Sequence, residues 1–153
     1  MTNDEFKLLH SELIMHVQCI ENDLRIIYAA MKPGDFDSNK DELERASLGR
    51  IRIQLKRLDY SDGRPDLSEE DYRSIDRIRE VRNYWCHQCF LDYLYLANAY
   101  EREAKFAQIA NRLRHDASVT GTLQKKIERI RLYKLAEYRT DPDVLQEVKS
   151  DEE

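Results

Sequence analysis

The chain has 153 residues, 41% hydrophobic and 36% charged, with a net charge of −5, four glycines, three prolines and three cysteines. That length makes one domain able to bury a core, and few helix breakers beside many Leu, Glu, Lys and Arg predict an all-α fold. No apolar run reaches membrane-spanning length, the first residues are acidic and polar, and an odd, low cysteine count suits a reducing compartment, so a cytoplasmic protein with no anchor and no signal peptide is expected.

The charge is unevenly placed. Residues 1–100 carry fourteen bases and nineteen acids, residues 101–140 ten bases and five acids, and residues 141–153 one base and six acids. A basic fourth helix is thus bracketed by acidic material. It would suit a polyanion. On charge alone, a solvated face of mixed sign is the plainer reading.

In chain order, Thr2 and Glu5 form a capping-box pattern. Phe6, Leu9, Leu13, Val17, Ile20, Leu24, Ile27 and Met31 then recur at threes and fours, the stripe of a long bundle helix. Pro33-Gly34 stops it, and 33–38 is a short loop. A second helix is predicted over 40–59, with Leu48, Ile51, Leu55 and Leu58 on one face. Ala46 and Gly49 are small, which lets a neighbour approach closely. Residues 60–66 hold Asp62-Gly63 and Pro65, a turn cluster.

Ser68 is the next predicted N-cap, with Asp71 at the third helical position and Leu67 and Tyr72 at hydrophobic-staple spacing. The third helix is predicted to run on to about 96. Ile75, Ile78 and Val81 stripe its first half. Further on, Trp85, Cys86, Cys89, Tyr93 and Leu96 fall on one side and Phe90, Leu91 and Leu94 on another. A helix apolar on two sides needs two buried contacts, one being the core and the other a second copy of the chain. A fourth helix is predicted over 99–138, with a weak patch at 116–122 where it would kink or break. Asp141-Pro142 ends it or caps a last short turn through Val148, and an acidic tail follows. Four long helices with short connections predict an up-down four-helix bundle over 1–140 and a tail over 141–153.

The stretch Arg82-Asn83-Tyr84-Trp85-Cys86-His87 lies where the third helix becomes apolar on two sides. Asn83 and His87 are four apart and share a face. Arg82 is 100° round from Asn83, among Ile78, Trp85 and Cys86, so it needs an anion or hydrogen-bond acceptors. Histidine titrates near neutrality and serves as acid or base, and the guanidinium fork matches phosphate oxygens.

This stretch resembles the R-N-x-x-x-H motif of HEPN-domain proteins, small helical proteins many of which are metal-independent ribonucleases. The similarity in residues is confined to the motif, while the helical plan matches over most of the chain. The resemblance implies a homodimer that cleaves RNA by attack of the ribose 2′-OH on the adjacent phosphate, leaving a 2′,3′-cyclic phosphate and a 5′-hydroxyl. His87 would be the acid/base, Arg82 the phosphate clamp and Asn83 a positioning group, with Arg79, Glu80 and Tyr84 in support. Neither metal nor cofactor is implied. The setting would be a toxin–antitoxin or anti-phage system, with a cognate antitoxin of the nucleotidyltransferase type or another. In HEPN toxins whose motif extends to His-x-Tyr, that tyrosine is adenylylated for neutralisation. Here Cys89 stands in its place, which argues against that route.

Other readings compete. Arg82 in a structural ion pair and His87 as a bundle histidine is what the spacing alone suggests. A non-catalytic HEPN-like dimer that binds a nucleotide or a partner protein is the alternative function. Cys86 and Cys89 form a C-x-x-C that, with His16 and Cys19, would make a zinc site; buried cysteines acting as small hydrophobes are the simpler reading. His10 and His115 read as surface or boundary residues. DNA binding through a helix-turn-helix is disfavoured by the long helices and the acidic first hundred residues.

Overall fold

The computed structural model describes residues 1–140, with side chains through Tyr138; the acidic tail and the turn expected after Asp141-Pro142 lie outside the described residues. Among the described residues the chain is all-α. Its helices are α1 (Asn3–Met31), α2 (Phe36–Glu42), α3 (Leu48–Asp59), α4 (Glu69–His87), α5 (Leu91–Leu94) and α6 (Ala99–Thr140). None of them is long and apolar enough to cross a membrane.

The first helix forms as its sequence dictates. The Thr2 hydroxyl accepts from the Glu5 N–H at 3.1 Å while the Glu5 carboxylate accepts from the Thr2 N–H at 2.7 Å, a complete capping box. The apolar stripe buries Phe6, Leu13, Val17, Ile20, Leu24 and Ile27. Gly34, at φ 107°, makes the turn beyond its end.

The single helix predicted over 40–59 is two helices. Asp35 caps Ser38 at 3.0 Å, so α2 starts at Phe36, inside the predicted loop. The chain then breaks at 43–47. Arg25 of α1 reaches into that break and donates to the carbonyls of Leu43 (2.9 Å) and Ala46 (3.2 Å). These acceptors are satisfied by a side chain instead of by a continued helix. Ser47 caps the restart through the Arg50 N–H.

The Ser68–Asp71 capping box and the buried Leu67–Tyr72 pair start α4 as expected. Asp59 ties the turn before it. Its carboxylate accepts from the backbone N–H groups of Asp66 and Leu67 and from the Tyr72 hydroxyl, at 2.8, 3.1 and 2.8 Å.

The predicted run of this helix to about 96 is also corrected, because α4 stops at His87. The N–H groups of both Gln88 and Cys89 point at the Tyr84 carbonyl, at 2.9 and 3.0 Å. The second of these is a five-residue return, wider than an α-turn. Asp92 then accepts from the Tyr84 hydroxyl (2.8 Å) and from the Gln88 amide (2.9 Å), which holds α5 against the end of α4. The change of direction moves Phe90 onto Phe6 and His10, with ring centroids 6.0 and 5.4 Å apart. Leu91 and Leu94 stay exposed. Of the expected seam, Phe90 therefore joins the edge of the core.

The last helix runs unbroken for 42 residues, about 63 Å at 1.5 Å per residue. Asn98 caps it through the N–H groups of Tyr100 and Glu101. The predicted weak patch at 116–122 is continuous helix. Thr120 and Leu123 are buried there, and Asp116 is bonded to α4.

Side-chain pairs set the directions. Asp59–Tyr72, Arg52–Asp76 and Gly49–Arg79 run α3 against α4, and Asp71–Lys126 and Trp85–Asp116 run α4 against α6. Phe6–Phe106 and Asp23–Arg131 place α1 parallel to α6. So α1, α3 and α6 point one way and α4 the other. The expected alternation of four helices gives way to this order because the short α2 makes an extra reversal after α1.

Candidate active site

The Arg82–His87 stretch is the last turn and a half of α4, beyond the level at which α3 begins. Gly49, in the first turn of α3, lies under the Arg79 guanidinium; a Cβ there would come within 3.2 Å of its Nη1. Past that contact α3 no longer covers α4. Arg82, although on the core-facing side with Ile78 and Trp85, is only half-buried.

Arg82 is not left unpaired. Its Nη1 donates to Glu21 Oε1 of α1 at 2.7 Å, and its Nη2 to Asn83 Oδ1 at 3.4 Å. The Glu21 and Arg82 side chains keep 17% and 30% of their exposure, so the pair is partly screened by water. The anion that Arg82 was expected to need is thus supplied by the protein.

Asn83 and His87 share the outer face and are both exposed, and His87 makes no hydrogen bond or ion pair among the described residues. Five residues of helix put about 7.5 Å of rise between Arg82 and His87.

The three supporting residues go different ways. Glu80 is exposed, and Arg79 lies over Gly49. Tyr84 turns towards α6, where its ring sits 3.6 Å under the Arg112 guanidinium and edge-on to Trp85 at 4.8 Å. Burial, and then the hydrogen bond to Asp92, push its phenol up to about 12. It remains a neutral donor near pH 7 and does not supply a base.

The anchor beneath the motif is Trp85. It is 1% exposed, its indole N–H donates to Asp116 of α6 at 2.8 Å, and its carbonyl meets His10 Nε2 of α1 at 2.7 Å. His10 is therefore a boundary residue with a defined partner, whereas His115 is exposed. The cysteines separate: Cys86 is exposed, and Cys89 is buried with its thiol donating to the Trp85 carbonyl. Burial pushes the Cys89 thiol up, away from the reactive thiolate. Among the described residues no three His, Cys, Asp or Glu side chains cluster to hold a metal, so His16 and Cys19 do not complete a site with the C-x-x-C.

Sequence reasoning missed Glu21, Asp92, Arg112 and Asp116. For Glu21 there was a signal. It follows His10, Ile14 and Val17 at fours and threes, a line along α1 that ends on an acid. Comparison of the chain with protein-family models, with curated proteins and with solved structures finds no match.

Proposed function

We propose that this chain is a metal-independent endoribonuclease of the HEPN type, acting as a homodimer in the cytoplasm. The observation that carries the reading is the arrangement at the end of α4. An oriented guanidinium and an exposed, unpaired imidazole lie one turn and a half apart, with Asn83 between them.

The chemistry follows from these groups. A neutral imidazole takes the proton of a ribose 2′-OH as that oxygen attacks the adjacent phosphorus. The bond from phosphorus to the 5′-oxygen breaks, and an imidazolium returns a proton to the leaving oxygen. The products are a 2′,3′-cyclic phosphate and a 5′-hydroxyl. Arg82 neutralises the charge that builds on the non-bridging oxygens of the five-coordinate transition state. Base and acid are two roles and each chain offers one such histidine, which is the reason for a composite site between two copies. The exposed Leu91 and Leu94 of α5, beside the motif, are the apolar surface such a dimer would cover.

The setting we infer is a toxin–antitoxin or anti-phage system with a cognate antitoxin. Neutralisation by modification of a tyrosine two residues after the histidine does not fit, because Cys89 is there and is buried.

A specific observation favours the second reading, a non-catalytic HEPN-like dimer that binds a nucleotide or a protein. The Arg82 charge is already matched by Glu21, as in a structural ion pair. Cleavage of total RNA by wild type, His87→Ala and Arg82→Ala separates the two. The ribonuclease reading expects cleavage by wild type alone, with both variants down by at least about 100-fold. Folded wild-type protein that leaves RNA intact and does not slow cell growth would favour the binding module.

A further inference from the structure

We propose that Glu21 is the positioning residue of the Arg82 phosphate clamp, an inference that rests on the ribonuclease reading. Glu21 comes from α1, 61 positions away in sequence, and meets the guanidinium at 2.7 Å.

Three observations distinguish it from an incidental surface pair. The first is charge direction. In the other described ion pairs that link α4 to a neighbouring helix, α4 supplies the acid: Glu69 to Lys56, Asp76 to Arg52 and Asp71 to Lys126. Only at Arg82 is the sense reversed, and α1 provides a carboxylate for a base of α4. The second is that α1 and α4 do not need the pair in order to pack. Phe6 lies against Trp85, and His10 meets the Trp85 carbonyl. A half-exposed ion pair adds little to such a contact.

The third is the geometry of the fork. A guanidinium has five N–H donors in one plane. Glu21 takes one from Nη1 and Asn83 takes one from Nη2. The short bond to the largely buried Glu21 is the firm hold, and the long, exposed contact to Asn83 adds a weaker second point on a different nitrogen. The remaining donors, one on each Nη and one on Nε, are left for phosphate oxygens. An arginine held in this way does not have to lose its side-chain freedom as charge develops on the phosphate. The arrangement has a cost, because the carboxylate also repels the polyanion. Glu21 should therefore raise kcat while working against substrate binding.

The test is steady-state cleavage of a pool of single-stranded oligoribonucleotides by wild type, Glu21→Met and Glu21→Gln. Methionine keeps the length and helix propensity of glutamate and removes the acceptor. Glutamine keeps an acceptor oxygen and removes the charge. The expected result for Glu21→Met is a kcat lower by about 30- to 100-fold, with circular dichroism unchanged, as for other losses of alignment. Glu21→Gln should recover kcat to within about threefold of wild type, with a lower KM, since the acceptor remains and the repulsion is gone. If wild type cleaves and Glu21→Met keeps kcat within threefold, the positioning role is overturned and the ribonuclease reading stands. If wild type cleaves nothing, both are overturned.

Discussion

The two halves of α4 are held in opposite ways. In the first half every turn is tied. Ser68 and Asp71 close the cap, Glu69, Asp71 and Asp76 take cations from α3 and α6, and the Tyr72 hydroxyl rests on buried Asp59. Burial raises the Asp71 carboxyl, but Lys126 and Ser68 outweigh it and hold the group below its usual range. The second half has one deep anchor, Trp85, and one ion pair, and it presents Asn83, Cys86 and His87 to solvent. Polar groups in the first half serve the fold. Those in the second are presented by it, which is the disposition a site needs.

The comparison breaks most visibly at Trp85. Trp85→Ala removes the one large buried side chain of the second half and orphans part of Asp116. It should cost about 3–5 kcal/mol in chemical denaturation, as for other buried aromatics. A loss under about 1 kcal/mol would show that the end of α4 is held by something else.

A smaller effect sharpens the account of the helix end. The Tyr84 hydroxyl donates to Asp92, and its folded phenol is pushed up to about 12. An unfolded tyrosine titrates near 10. The hydrogen bond therefore contributes fully below about pH 10 and is lost as pH rises towards about 12. Tyr84→Phe should cost about 1 kcal/mol at pH 7, and the gap to wild type should close over that alkaline window. A gap that stays constant to pH 12 would assign the loss to packing.

The smallest expected effect is on the stability of His87→Ala. An exposed side chain without a partner contributes little, so the melting temperature should stay within about 2 °C of wild type by differential scanning calorimetry. A larger fall would make His87 a structural residue and move it into the class of the first half.

Much of this was legible in the sequence because it is local. The Thr2 and Ser68 capping boxes, the α1 stripe and the Leu67–Tyr72 staple need only a few neighbouring residues. What was missed depends on partners far along the chain. The break at 43–47 is stabilised by Arg25, and the apolar rhythm through Leu43, Ala46 and Leu48 continues across it, hiding the Ser47 cap. The end of α4 at His87 has no glycine or proline to announce it; Asp92 folding back on Tyr84 and Gln88 supplies the cause. At the site, the adjacency of Arg82 and Asn83 and the shared face of Asn83 and His87 were readable from helical spacing. That Arg82 needed an anion was readable too, and Glu21 ends a readable line along α1, but their pairing was not legible, because it joins two helices 61 positions apart in sequence.

The most direct measurement is end-group analysis of RNA incubated with the protein in EDTA, alongside His87→Ala and Arg82→Ala. The account predicts fragments from wild type alone, ending in a 2′,3′-cyclic phosphate and beginning with a 5′-hydroxyl. Fragments that His87→Ala makes as fast as wild type, or that carry 3′-hydroxyl and 5′-phosphate ends, would contradict it.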